Sequence, residues 1–186
     1  MQSKCFEYKY ASLDKLALMV TLFVVLMDIV LIGVILYLSG ISGILITVFL
    51  LLVLLSPIIS VIPFVPRRLL LCMDGLIIAR VAGNIRIDKE DIADIRIRGF
   101  KPMHLIRLFA SGGLFGYIGR FRIRGEGTAS FYATNLSKAI EIILKDGRRI
   151  VVSPENPEQF ISMINGLWGW RPGPDHTGEA HSNLGF

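Results

Sequence analysis

Charge is almost missing from one stretch of this chain. Residues 16–66 hold a single charged side chain, Asp28, while all 20 Lys and Arg and the other 14 acids lie outside it. That asymmetry excludes a plain soluble enzyme, a disordered chain and a polytopic transporter of ordinary size. Cysteine is scarce as well. Cys5 and Cys72 are the whole complement, which excludes a disulfide-stapled scaffold; neither has a local partner, as expected in a reducing compartment. Histidine is thin and scattered, at His104, His176 and His181, so no Cys/His metal spacing exists. There is no G-x-S-x-G elbow, and neither cysteine has a nearby histidine. The sequence thus offers no catalytic residue, no metal site and no cofactor motif, and an enzyme is not expected.

What is present begins with the apolar stretch. Leu16 to Leu38 is 23 residues interrupted only by Thr21, Asp28 and Gly33. As a helix it reaches about 34 Å, enough to cross a hydrocarbon core of roughly 30 Å. Ser39 to Gly43 has the composition of a turn. Ile44 to Phe64 is 21 uncharged residues, or about 31 Å of helix. A signal peptide has a shorter apolar region, so the expectation is a transmembrane hairpin over residues 16–66. Lys4, Lys9 and Lys15 precede the first span, and Arg67 and Arg68 follow the second. Basic flanks stay inside the cell, so a multi-pass cell-membrane protein with both termini cytoplasmic is expected.

Asp28 falls near the bilayer midplane. A carboxyl there costs about 2.5–3.5 kcal/mol against lipid, so it should face protein. In an antiparallel hairpin Ser56 and Ser60 lie near its depth and share one helix face, which predicts an intramembrane helix contact among Asp28, Ser56 and Ser60. That contact pins the hairpin or an oligomer. The alternative is a small oligomeric transport or proton-conducting protein built on Asp28 and regulated by the rest of the chain.

From Leu69 onward the pattern changes to short segments with turn signals. Asp74-Gly75, Gly83-Asn84 and Asp146-Gly147 punctuate alternating runs such as Ile92 to Arg98 and Tyr117 to Arg124. About seven strands are expected, as a β-sandwich or partly open barrel. Asn156 at an N-cap, Pro157 at N1 and Gln159 at N3 then open a helix whose Phe160, Ile161, Ile164 and Leu167 share a face. The chain divides into a cytoplasmic N-terminal segment, 1–15, the hairpin, 16–66, a β domain, 67–167, and a tail, 168–186. Both ends are expected to be loose.

The glycines Gly112, Gly113, Gly116 and Gly119 do not form a phosphate loop, and a strand follows them rather than a helix. They read as a bulged turn with close backbone packing. Asp88, Glu90, Asp91 and Asp94 read as a solvated acidic turn, without the Gly and distal Glu of a calcium loop.

Two stretches carry a resemblance. Arg107 to Gly119 is similar to the Gly-rich mid-domain segment of bacterial pleckstrin-homology-like (PH-like) domains that follow membrane spans. Ser153-Pro154-Glu155-Asn156-Pro157-Glu158-Gln159-Phe160 is similar to their entry into the last helix. The resemblance covers roughly Leu69 to Leu167. It implies a PH-like β fold capped by a C-terminal helix, in a prokaryotic membrane protein that serves as a scaffold or oligomer. The basic cluster with which eukaryotic PH domains take phosphoinositides does not carry over; Met73-Asp74-Gly75 stands there.

The best positive feature is basic. Residues 67–167 carry 16 Lys and Arg against 10 acids. Arg120, Arg122 and Arg124 share one strand face, and Arg96 and Arg98 another. Near an anionic bilayer each basic residue is worth about 1 kcal/mol. These five arginines are the expected contact with lipid headgroups or a protein partner. The expected function is a non-enzymatic, membrane-anchored interaction module. Its expected partners are membrane lipid, an unidentified protein and further copies of the chain. Nucleic acid is not expected, since no basic motif interleaved with aromatics is present.

Overall fold

The computed structural model describes residues 5–39 and 44–170. The turn expected around Ile41, most of the C-terminal tail, His176 and His181 lie outside them. Helix α1 spans Lys15–Ser39 and α2 spans Ile44–Val61. Asp14 caps α1: its Oδ1 accepts the Ala17 amide at 2.8 Å, the bond expected of an N-cap carboxylate. Both helices are long and apolar enough to cross a membrane, with mean hydropathies of 2.9 over Lys15–Tyr37 and 2.5 over Thr47–Phe64. Leu22, Phe23, Leu26, Phe49 and Leu52 stand exposed on their outer faces.

The rest of the described chain is a two-sheet β domain closed by a helix. Strands β1 (Cys5–Tyr8), β2 (Pro66–Cys72), β3 (Gly75–Arg80) and β4 (Ile85–Asp88) form an antiparallel sheet in that order. Strands β5 (Ile92–Ile97), β6 (Leu105–Gly112), β7 (Tyr117–Ile123), β8 (Gly127–Ala133), β9 (Ile140–Leu144) and β10 (Arg149–Val152) form a second sheet, ordered β5-β9-β10-β8-β7-β6. Only β8 and β10 run parallel among the pairs of this sheet. Helix α3, Pro157–Trp168, ends where Gly169 turns left-handed at φ 63°.

The sandwich and the C-terminal helix agree with the expectation; three details are corrected. There are ten described strands rather than about seven. The N-terminal segment is not loose over its described part, because β1 pairs with β2 from Cys5↔Cys72 to Tyr8↔Leu69. This pairing also joins the two cysteines in a disulfide across 67 residues of sequence. They had no local partner because the partner lies beyond both helices. Finally, Asn156 occupies the N-cap of α3 without a side-chain bond, although Pro157 does open the helix.

Two apolar cores flank the second sheet. One lies between the sheets and under α3, built on Leu69, Leu71, Ile78, Ile142, Phe160 and Ile164. The other covers the opposite face, with Phe121, Phe131, Phe100, Val151 and Tyr117. Phe131 meets Phe100 and Phe121 edge-on, at centroid distances of 5.2 and 5.1 Å. Ala17, in the first turn of α1, is fully buried in this second core. The helix pair is therefore rooted in the β domain rather than strung from it.

Candidate functional site

The root of α1 is a polar joint. Thr21 Oγ1 donates to Ala17 O at 2.7 Å and faces Gly113 O at 3.1 Å. The same oxygen accepts the Phe115 amide at 3.0 Å. Phe115 is the one non-glycine among the described residues with a positive φ, 56°; the Thr21 bond holds it there. Gly113 lies so close that a Cβ on it would be 3.0 Å from Val20 Cγ1. The glycine-rich stretch is thus the β6–β7 hairpin, packed against α1. Gly119, at φ 117°, brings the two strands together: a Cβ there would stand 2.3 Å from Phe109 O. The close-packing reading holds, but the stretch before Gly113 is strand β6 rather than turn.

A second strap holds the segment between β1 and α1. Thr134 Oγ1 donates to Ala11 O at 2.5 Å, and the Ala11 amide donates to Ser153 O at 2.9 Å. Ser153 Oγ accepts the Thr134 amide at 2.8 Å. The serine of the Ser153-Pro154 motif therefore sits where β8, β10 and the approach to α1 converge.

The arginine stripe is disposed as its alternation predicts. Phe121 and Ile123 point into the second core, while Arg120, Arg122 and Arg124 are exposed. Arg120 stands opposite Ser130 and Arg122 opposite Thr128; Arg124 lies just past the strand. No acidic side chain pairs with these three among the described residues. Arg120 also lines a groove of about 290 Å³ with Thr128, Ser130 and Arg148. Strand β7 starts at the hairpin that touches α1 and runs away from it, so Arg124 ends the stripe far from the helix pair.

Arg96 and Arg98 do not join it. Arg96 stands opposite Glu141, whose row continues through Val151 to Phe131; that is the face opposite Arg120. Their charges are also engaged. Arg96 Nε lies 2.5 Å from Asp94 Oδ2. Arg98 grips both carboxylate oxygens of Glu126, with Nη1 to Oε2 at 2.6 Å.

Around Glu126 lies an ionic cluster that sequence reasoning missed. Arg149 Nη2 reaches Glu126 Oε2 at 2.9 Å and Glu141 Oε1 at 2.5 Å. Arg98 Nη1 is 3.6 Å from Glu141 Oε2. Glu141 is wholly buried, and it is held by charge: neither contact is aligned as a hydrogen bond. Hydrogen bonds from Arg98, then Arg149, outweigh desolvation and lower the Glu126 carboxyl from 4.5 to about 2. A depressed carboxylate stabilises the fold above its unfolded value. We expect that contribution to fade as pH falls from about 4.5 toward 2, by no more than about 2 kcal/mol after solvent screening. Acid unfolding followed by circular dichroism checks this. Glu126→Gln should flatten the dependence, and an unchanged acid limb would show that the pairing adds nothing.

Asp28 and Ser56 do not hydrogen-bond to each other. Ser56 Oγ donates to Val53 O in its own helix at 2.8 Å. Asp28 Oδ2 is shielded from solvent and has no hydrogen-bond partner among the described residues. Ser60 instead lies where α2 meets the domain, beside Val61 and Phe64. Two of the four acids of the acidic turn are paired with arginines: Arg86 Nε lies 2.7 Å from Asp88 Oδ1, and Arg96 holds Asp94. No three potential metal ligands gather among the described residues.

No curated protein and no solved structure matches the chain. The family model described as "Bacterial PH domain" matches residues 67–167. That stretch runs from the second residue of β2 to the last turn of α3 and takes in more than half of the chain, so the protein belongs to the bacterial PH domain family.

Proposed function

We propose that this protein is a non-enzymatic interaction module that a two-helix membrane anchor presents at the cytoplasmic leaflet, with the stripe Arg120, Arg122 and Arg124 as its docking surface for an acidic protein partner. The observation that carries the reading is the buried root of α1. Ala17 lies in the core and Thr21 is bonded to the β6–β7 hairpin, so a bilayer holding α1 also orients the domain. PH-like domains are generally interaction modules rather than catalysts, which supports the non-enzymatic part. The run of β7 away from the helices favours a soluble partner over the anchoring bilayer. Arg96 and Arg98, held in ion pairs, serve the fold more than the partner.

The basic flanks favour a cytoplasmic domain. The Cys5–Cys72 bond on its own suits an oxidising compartment. On the cytoplasmic side the thiol–disulfide poise of the cell sets whether these sulfurs are joined. A second copy of the chain is the natural source of a donor for Asp28 Oδ2, which supports self-assembly.

The test uses the full chain in neutral-lipid nanodiscs, because a fragment of residues 67–167 lacks β1 and the Ala17 contact. Polyglutamate serves as the acidic probe. Replacing Arg120, Arg122 and Arg124 with Gln should weaken its binding about tenfold at low salt. The difference should vanish near 1 M salt, where the Debye length is about 3 Å. Equal affinity of wild type and variant at low salt refutes the docking surface. Loss of binding to anionic vesicles in place of polyglutamate would assign the stripe to lipid.

A further inference from the structure

A cleft remains where α2 enters the domain, and none of the five arginines expected from sequence lines it. Two cavities, of about 410 and 490 Å³, meet along Ser60, Val61, Ala110 and Ser111. The first is walled by Phe64, Phe109, Ile118 and Tyr132, with Arg80 at its side. The second reaches Val20 of α1, with Leu114 and Arg107. The cleft thus wraps the end of edge strand β6, between the helix pair and the sheet.

Its chemistry is divided. The outer wall is apolar and open: Phe109 is 87% and Phe64 47% exposed. Leu108 and Ile106 continue the same apolar strand outward. Two cations stand along the cleft, Arg80 in the first cavity and Arg107 in the second. Arg80 lies 5.3 Å over the Tyr132 ring and gives its Nε to Gly83 O at 3.1 Å. Arg107 gives Nη2 to Gly112 O at 2.8 Å. Neither has a carboxylate partner among the described residues. Each guanidinium is oriented by a carbonyl and a packing surface, with further N–H groups left for an anion.

The cleft also sits at a defined level. The Ala82 amide donates to Pro63 O at 2.8 Å, which ties the β3–β4 turn to the residues just after α2. On the opposite side Gly113 packs against Val20. Arg80 and Arg107 therefore lie beside the ends of the two apolar helices, where a bilayer would place its phosphates. The exposed flank of α2 continues the apolar wall in the direction of the acyl chains.

We infer that this cleft binds one anionic phospholipid of the surrounding bilayer, its headgroup met by Arg80 from the first cavity and by Arg107 from the second, and a chain along Phe64, Phe109 and α2. The inference rests on the membrane-anchored reading and adds a lipid site separate from the Arg120 stripe. A zwitterionic lipid would fill the apolar wall and offer a phosphate, but it would bring its own cation to a cleft that already holds two. A soluble phosphate would answer the cations and leave the wall exposed to water.

The test is native mass spectrometry of the full-length protein, released from membranes containing phosphatidylglycerol and phosphatidylcholine in equal amounts. Wild type should retain phosphatidylglycerol in preference to phosphatidylcholine. Arg80→Gln with Arg107→Gln should lower that retention roughly 10- to 30-fold. Lys89→Gln with Lys145→Gln, which removes the same charge elsewhere, should leave it unchanged. Thermal melting of each variant separates lost binding from lost fold, and Arg107→Lys provides a milder change. Equal retention of the two lipids, or undiminished phosphatidylglycerol on the folded double variant, overturns the inference. Recovery of the protein in the alkaline-wash supernatant, rather than in the membrane, would overturn the anchored reading itself.

Discussion

Arg149→Met is expected to destabilise the protein by about 3–5 kcal/mol, because it leaves Glu141 buried without its nearest compensating charge. Glu141 has no exposed surface, and among the described residues Arg149 is its only ion-pair partner within 3 Å. Arg98, at 3.6 Å and already committed to Glu126, is a poor substitute. The sign should reverse when both members go. Glu141→Leu together with Arg149→Met removes the uncompensated charge and extends the apolar surface beside Val151, so the double variant should recover most of the loss. Urea unfolding of the purified full chain, followed by circular dichroism, gives the three free energies. A double variant no better than Arg149→Met would mean that the arginine acts through its bonds to Glu126 alone.

Phe160→Ala should cost a similar amount, about 3–5 kcal/mol, since the ring is fully buried and its removal leaves a cavity. Phe160 reaches three parts of the fold. It lies in the core shared by both sheets and α3, and its ring meets Tyr8 edge-on at 5.2 Å. The expected consequence is local as well as global. With the ring gone, β1 loses the Tyr8 ring contact to α3, and amides of Cys5–Tyr8 should exchange with solvent faster than those of β2. A melting temperature equal to that of wild type would place the helix face elsewhere.

The helices were legible because a long uncharged run has few other solutions, and the face of α3 because Phe160 and Ile164 recur at helical spacing. The arginine stripe was legible for a related reason: Phe121 and Ile123 leave only one way for Arg120 and Arg122 to point. Three features were hidden. Strand β1 is four residues long, and its partner comes 67 residues after Cys5; no local pattern can show such a pairing. Strand β6 lacks alternation because its ladder slips between Arg107 and Phe109, and none of its residues is buried. Glu141 was hidden for the opposite reason. In Ile140-Glu-Ile-Ile-Leu144 a lone acid looks like the solvent face of a strand. Here that face is covered by the second core, so the acid is buried and needs Arg149.

The order of the elements along the chain bears on how the protein is made. Strand β1 precedes both apolar helices, and its partner β2 follows them. At roughly 5–20 residues per second of synthesis, Cys72 emerges about 3–13 s after Cys5. Throughout that interval β1 lacks its partner strand β2. If both helices span, β1 and β2 can meet only when the two helix ends return to the same side. A chain whose second helix failed to insert would leave the first sheet one strand short and Ala17 outside its core. On that condition, completion of the first sheet reports that both helix ends have returned to one side, and a chain in which they have not would present an unpaired N-terminal strand.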